Sequence, residues 1–409
     1  MRDTPALHAP PLADPLPRPM CTDCGLSRMA LAPRCGTACQ FTVPDFPALE
    51  AATHGLPPET DDWFGPRRAM HRARMDPPRP GAQWTGITTA LAAKLLETGA
   101  ATAVLTLAPH EDDPFRPVPV IVTEARGMEA VRGMRMGYAP LLALLEPAVA
   151  QGHRRIAVIG IPCQVHALRR IETDLGLERL WVIGTPCSDN TTTENFHAFL
   201  ARLTDRPEDV TYLEFRADYR VEMRLGEETR LIPFLQLPLS DLPDDFFPLT
   251  CRTCTDYANR LADVTVGYMA GDGDQWLIVR NGRGAEMVAM LDDLRLAPLT
   301  SKGKREGAVR GFVANTERAA GGLPLRRMPG WLRPLVAWLQ PRVGPRGLEF
   351  ARARLEIKAA ETILHLRRHA PKRMRHMIPD HVWRLAAPYG LRPEPGERDA
   401  STSPQSKAP

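Results

Sequence analysis

Nowhere in its 409 residues does the chain hold the run of about 18–20 apolar residues that a membrane-crossing helix needs. The first twenty residues are rich in proline and lack the continuous apolar core of a secretory signal, so residues 1–20 are expected to form a disordered arm in a cytoplasmic protein. Excess charge is also scarce, at a net +4, and no nucleic-acid-binding motif accompanies it, so nucleic acid is not an expected partner. Cysteine is sparse, eight in all, and none is left over from two groups of four. Without a secretory context, grouped cysteines are expected to hold a metal or cofactor rather than to form disulfides.

What is present fits a globular chain large enough to bury a full core, with 44% apolar and 24% charged residues. Charge is unevenly spread. Residues 301–376 carry 18 Lys and Arg against 5 Asp and Glu. A solvated helical surface accounts for this, and so does a docking face for an acidic partner.

The chain is organised around Arg154 to Asn190. Two short apolar runs, R-R-I-A-V-I-G-I-P-C-Q and L-W-V-I-G-T-P-C-S-D-N, each end in Pro-Cys and lead into helix-compatible sequence. Apolar runs alternating with helical patterns predict an α/β fold with a mixed, mainly parallel sheet and crossover helices. Cys163 and Cys187 are then placed just past the carboxyl ends of two strands, where open α/β sheets put their chemistry. A helix ending at Gly99, a strand at Ala103 to Leu107 and a helix near Leu141 to Ala150 precede them. Alternating strands over 210–231 predict an antiparallel hairpin, and two more strands are expected at Ala262 to Met269 and Trp276 to Asn281.

The first cysteine group, Cys21, Cys24, Cys35 and Cys39, spans nineteen residues and makes a self-contained thiolate site. Spacing leaves zinc and iron–sulfur both open there. Cys251 and Cys254 form a CxxC outside the strand–CxxC–helix setting of a redox dithiol, and pairing them with Cys163 and Cys187 completes four ligands. Asp189 and Asn190 follow Cys187 and could reach a substrate or cofactor, or could cap the next helix. They are the candidate catalytic residues. His166 is expected on a helix surface. Trp331, Leu335, Trp338 and Leu339 share a helical face that could lie on a membrane surface or cover an apolar ligand, with core packing the expectation. Gly81 to Gly99 reads as a Gly-flanked loop running into an amphipathic helix, whose amino terminus could bind phosphate, a weak signal by itself.

The sequences I-P-C-Q, P-C-S-D-N, C-R-T-C-T-D-Y and A-D-V-T-V-G together resemble the beta subunits of deazaflavin-coenzyme-dependent hydrogenases and dehydrogenases. Further stretches, among them C-T-D-C-G-L, G-A-Q-W-T-G, L-E-F-R-A-D-Y-R-V, V-R-N-G-R-G and G-P-R-G-L-E-F-A-R, resemble a chlorophyll-processing branch of that family. The branch contains ferredoxin-dependent divinyl (proto)chlorophyllide 8-vinyl reductases and 7-hydroxymethyl chlorophyll a reductases. The resemblance implies two 4Fe-4S clusters, one on Cys21, Cys24, Cys35 and Cys39 and one on Cys163, Cys187, Cys251 and Cys254. It also implies FAD held by Gln83, Trp84, Thr85, Gly86, Arg135 and Pro140. The implied partners are reduced ferredoxin and a chlorophyllide-type tetrapyrrole; further copies of the chain are also expected, and the Trp-bearing stretch makes peripheral contact with a photosynthetic membrane a further expectation. Ser27 stands where the branch has another cysteine, with Cys35 the candidate replacement. Gly137, Ala139, Pro140 and Leu141 depart from the branch's T-x-S-P-N near the flavin, and the loop after Met269 is shorter. The expected organisation is an arm at 1–20, a cysteine-rich segment at 21–75, a FAD/iron–sulfur α/β domain at 76–300, a basic helical extension at 301–392 and a disordered tail at 393–409. The expected activity is ferredoxin-dependent reduction of an 8-vinyl group. The alternatives are hydroxymethyl reduction, an electron-transfer subunit of a hydrogenase or dehydrogenase, and a zinc-stabilised binding module.

Overall fold

Short β-branched runs become strands wherever both faces can be covered. The computed structural model describes residues 6–13, 21–55, 59–216, 218–268, 274–318 and 328–398. In chain order the main strands are β1 (Leu7–His8), β2 (Ala69–Met75), β3 (Ala103–His110), β4 (Asp113–Val122), β5 (Arg155–Gly160), β6 (Arg179–Gly184), β7 (Val210–Phe215), β8 (Arg220–Leu225), β9 (Glu228–Pro233), β10 (Val264–Tyr268), β11 (Gln275–Val279) and β12 (Leu294–Ala297). One sheet runs β1-β4-β3-β5-β6-β10-β11-β2-β12, and β7-β8-β9 form a second, antiparallel one. The centre of the large sheet, β3-β5-β6-β10, is parallel and its flanks are antiparallel. This is the expected mixed α/β sheet.

The helices are α1 (Cys35–Ala38), α2 (Phe46–His54), α3 (Ile87–Glu97), α4 (Leu145–Ala150), α5 (Pro162–Ile171), α6 (Thr193–Leu200), α7 (Leu249–Arg252), α8 (Gly282–Ala289), α9 (Arg305–Arg318), α10 (Leu332–Val343), α11 (Leu348–His369), α12 (Met374–Met377) and α13 (Asp380–Ala386). On one side of the sheet, Ile156, Val158, Leu180 and Val182 pack against α5 and against Leu26 and Phe46 of the amino-terminal segment. On the other side, Ala157, Trp181 and Ile183 meet Leu91 and Leu95 of α3 and Met287 of α8. Covering both faces is why β5 and β6 are almost continuously apolar. Helices α9, α11, α12 and α13 build a further apolar cluster around Val309, Ile363 and Trp383.

Several expectations change. Leu7–His8, inside the stretch expected to be a free arm, pairs antiparallel with β4 and extends the sheet. Strand β4 itself has no counterpart in the sequence reading. Pro117 and Pro119 pair with β3 but lie beyond β1, which meets only Ile121 and Val122, so among the described residues they have a neighbour on one side only, the kind of edge position where a missing N–H is tolerated. His166 is not on a surface. It is fully buried, because the amino-terminal segment lies over α5, and its Nδ1 pairs with the Ala38 carbonyl at 3.0 Å. Core packing of the Trp-bearing face also fails, since Trp331 is 77% and Trp338 57% exposed. The start of the expected tail is docked, with Glu397 accepting from Arg367 of α11 at 2.7 and 2.9 Å. Residues 399–409 and the loop at 269–273 lie outside the described residues.

Candidate functional site

The parallel strands deliver the site. β5 ends at Gly160, Ile161 is extended, and Pro162 opens α5 with Cys163 in its first turn. β6 ends at Gly184, and the following loop brings Cys187 to the same sheet edge, where its N–H donates to the Tyr257 carbonyl at 3.2 Å. Short helix α7 carries Cys251, and Cys254 closes the next turn with N–H to the Cys251 carbonyl at 3.0 Å. Cys163, Cys187, Cys251 and Cys254 line one cavity together with Asp189 and Asn190. All eight cysteines are thiols rather than disulfides. Burial pushes the Cys251 thiol up to about 12 and Cys254 to about 11, and raises Cys163 and Cys187 well above the ordinary thiol value. Such thiols hold their protons unless a strong positive charge, such as a metal's, replaces them.

The amino-terminal cysteines gather in the same neighbourhood. Cys24 is half-buried and pushed up to about 12, first by burial and then by Cys39, Cys35 and Cys21. Gln40, adjacent to Cys39, donates its side-chain amide to the Cys254 sulfur at 3.3 Å. Its other side-chain atom, Oε1, is buried without a partner. The two cysteine groups therefore adjoin. Among the described residues, no three Cys, His, Asp or Glu side chains converge closely enough to hold a single metal ion. A tetrahedral zinc with Zn–S near 2.3 Å would need sulfurs about 3.8 Å apart. A cluster that takes one thiolate at each of four irons spreads its ligands more widely, and four thiols around a cavity suit that donor set.

Residues from the carboxyl-terminal helix close the site. Lys358 of α11 is 5% exposed and donates to Asp189 at 2.8 Å and to Glu361 at 3.1 Å. Burial acts to lower the Lys358 pKa, but Asp189 and Glu361 outweigh it and keep the ammonium charged. Burial pushes the Asp189 carboxyl up to about 6 against the pull of Lys358. Arg354 bonds Ser188, and Thr362 donates to the Cys254 carbonyl at 3.1 Å. Asn190 is tied to the neighbouring loop, its amide donating to the Gly137 carbonyl at 2.9 Å. Neither Asp189 nor Asn190 caps α6. That role falls to Thr192, whose hydroxyl accepts from the Asn195 N–H at 3.1 Å. Tyr138 stands close enough to Cys251 and Cys163 for their charges to add to burial in raising its hydroxyl.

The residues assigned to flavin by resemblance divide. Thr85 is buried and committed to the fold, donating to Gln275 at 2.8 Å and accepting from the Met75 N–H at 3.1 Å. Trp84 takes a left-handed backbone (φ 54°) and its N–H donates to Glu214 at 3.1 Å, while the Gln83 side chain reaches the Leu213 carbonyl at 3.4 Å. Gly86, also left-handed, precedes α3. Arg135 has no carboxylate partner among the described residues, and its guanidinium donates only to the Met134 and Arg132 carbonyls. Burial lowers it to about 10. A half-buried guanidinium without an acid suits a phosphate. Pro140 lies apart from these, beside Gly25 of the cysteine-rich segment, where any side chain in place of the glycine would meet its carbonyl at 2.7 Å.

Beneath the loops lies an ionic hub that the sequence reading missed. Asp263, fully buried, accepts at Oδ1 from Arg169 (2.8 Å), Asn281 (2.7 Å) and Arg283 (2.9 Å), and at Oδ2 from the Val182 N–H (2.7 Å). Burial acts to raise its pKa, but Arg169 and Arg283 outweigh it and hold the carboxyl below the usual range. Its signal was the acid inside A-D-V-T-V-G, an aspartate opening a buried strand.

Residues 70–146 match the amino-terminal region, and residues 153–301 the carboxyl-terminal region, of the coenzyme F420 hydrogenase/dehydrogenase beta subunit. These matches span more than half of the chain. The chain belongs to this beta-subunit family. Within the family it falls on the chlorophyll branch. It is 34% identical over 388 residues to the chloroplastic 7-hydroxymethyl chlorophyll a reductase of Oryza sativa subsp. japonica, covering 90% of this chain and 82% of that one. It is 32% identical to an uncharacterized protein of Nostoc sp., covering 91% and 94% of the two chains. A chain of the F420-reducing [NiFe] hydrogenase complex from Methanosarcina barkeri shares the fold, with TM-score 0.53 and 21% identity over 59% of this chain and 85% of that one. The family assignment agrees with the resemblance drawn from the cysteine motifs, and it makes the chain an oxidoreductase-family protein.

Proposed function

We propose that this beta-subunit family member is a flavin- and iron–sulfur-dependent reductase of a chlorophyll-type tetrapyrrole. The observation that carries the reading is the adjoining of two four-cysteine groups through Gln40 and Cys254. Cys163, Cys187, Cys251 and Cys254 would hold the inner 4Fe-4S cluster, and Cys21, Cys24, Cys35 and Cys39 the outer one. Arg135, with the loop from Gln83 to Gly86, would hold FAD. When bound, the flavin would supply the conversion of single electrons into a two-electron transfer. The chain's own residues do the rest. Gln40 occupies the gap between the cysteine groups, and Lys358 keeps a positive charge beside the inner one. Asn190 ties the loop after Cys187 to the Gly137 turn, and Asp189 is the candidate acid at the cavity wall.

The finer reading is conversion of an 8-vinyl group to ethyl, which takes two electrons and two protons, with reduced ferredoxin as donor. The excess of Lys and Arg over 301–376 supports an acidic donor, although Lys358 is buried and both it and Arg305 are paired with carboxylates. A second reading, hydroxymethyl reduction to methyl with loss of water, is favoured by the similarity to the rice reductase. Anaerobically purified protein should carry flavin and about eight irons per chain. Cys163→Ser should lose about half of that iron, and full retention would refute the ligand grouping. Incubation with reduced ferredoxin and divinyl protochlorophyllide should yield the ethyl product. Turnover of the hydroxymethyl pigment alone would establish the second reading, and turnover of neither would overturn the proposal.

A further inference from the structure

Helix α10 and the residue before it leave an apolar face in solvent. Seven large apolar side chains are exposed among the described residues, and five of them lie here: Trp331 (77%), Leu335 (54%), Trp338 (57%), Leu339 (41%) and Val343 (59%). Their spacing places them along one side of a helix. Ala337, on the opposite side, is buried, and the helix rests against the turn at Phe234–Gln236. Among the described residues the face is thus unpartnered, while the helix itself is anchored.

Charge decides what would cover it. From Met328 to Gly347 the chain has Arg333, Arg342 and Arg346 and no acid. The Arg342 guanidinium sits 4.1 Å from the centre of the exposed Trp338 ring, at the margin of the apolar face. Exposed tryptophans bordered by arginine are the composition of a helix that lies in a lipid interface, with rings among the headgroups and cations on anionic phosphates. A second copy docked symmetrically on the same face would set these arginines against their own counterparts, which is repulsive. The helix has 12 residues, and no described helix is long and apolar enough to cross a membrane, so the contact would lie in the plane of the surface.

We propose that Trp331 to Val343 docks the protein onto an anionic lipid surface. The proposal goes beyond the reductase reading and does not depend on it, since lipid binding and pigment turnover can each fail alone. The test is co-sedimentation of the whole chain as purified with vesicles of phosphatidylcholine alone or mixed with phosphatidylglycerol. Binding is expected on the mixed vesicles, with a blue shift of tryptophan fluorescence and release by salt. Trp338→Glu should weaken it roughly ten- to hundredfold, the range for losing one large apolar contact. Arg342→Glu should weaken it on mixed vesicles while helix content and thermal stability stay at the wild-type level. Leu335→Glu serves as a second variant on the same face should Trp338→Glu fail to fold. Absence of wild-type binding, or equal binding by the face variants, would overturn the proposal. So would a dimer that falls apart in those variants without vesicle binding, because the face would then belong to a second copy.

Discussion

Replacing Asp263 by asparagine is the sharpest probe of how the sheet supports the cysteine site. The carboxylate collects four donors from β6, α5, α8 and the residue before it, and so holds both the strand that leads to Cys187 and the helix that carries Cys163. An asparagine of the same shape keeps one oxygen but turns an NH₂ towards either the Val182 N–H or the three side-chain donors. One donor pair then collides, and Arg169, whose side chain is 1% exposed, loses its buried counter-charge. Arg169 and Arg283 keep Glu172, at 2.8 and 3.1 Å, which softens the loss. Removing one member of such a buried set costs about 3–5 kcal/mol. That is a large part of the roughly 5–15 kcal/mol that stabilises a typical native protein. Urea unfolding at pH 7.5, followed by circular dichroism, should show the midpoint lower by roughly 1 M. The pH dependence has a definite sign. The folded carboxyl titrates below its unfolded value of about 3.9, so its contribution is complete above that value and is lost as pH falls through the folded value. The gap between wild type and variant should therefore be flat from about pH 5 to 8 and shrink below about pH 4. A difference under about 1 kcal/mol at pH 7.5, or one undiminished in acid, would refute the assignment of Asp263 as a charged hub.

Lys358→Met should lower the midpoint potential of the proposed inner cluster by an amount on the order of tens of millivolts, since a positive charge beside the cysteines is removed. An EPR-monitored redox titration reads this directly, and an unchanged potential would remove Lys358 from the electrostatics of the site. Arg135→Gln should cut flavin content about tenfold at unchanged iron, and normal flavin release on denaturation would show that the phosphate is held elsewhere. Gly267→Ala should destabilise the protein by about 3 kcal/mol or more, because the added methyl would meet the buried Trp276 indole nitrogen at 1.6 Å. Wild-type thermal stability of that variant would contradict the packing between β10 and β11.

What the sequence made legible was the part governed by local pattern. Apolar runs at 155–160 and 179–184 gave the parallel strands, and the Pro-Cys sequence after each gave the position of Cys163 and Cys187. The pairing of Cys251 and Cys254 with them was also within reach, because eight thiols divided into two sets without remainder. Long-range packing hid the rest. His166 sits on a helix whose solvent side by periodicity is covered by residues 120 or more positions earlier, such as Ala38. Lys358 looks like one more surface lysine in a charged helix until α11 is laid across the cavity and Asp189 meets it. Strand β4 was hidden by its prolines, which mark an edge rather than a loop. In the opposite direction, Trp331 and Trp338 have the spacing of a core face, and periodicity alone says nothing about whether a partner surface exists.

The cysteine cavity is closed from both ends of the chain, by Gln40 near the start and by Lys358 and Thr362 near the finish. This has a consequence for biogenesis. Chains emerge from the ribosome amino terminus first, so the inner site stays unsealed until α11, about a hundred residues after Cys254, has been made. If the inner cysteines hold a cluster as proposed, its loading has a window that shuts with the docking of α11, and a chain stopped before Leu348 should take up iron there yet surrender it readily to a chelator. Retention as firm as in the full chain would mean that the carboxyl-terminal helix is no lock.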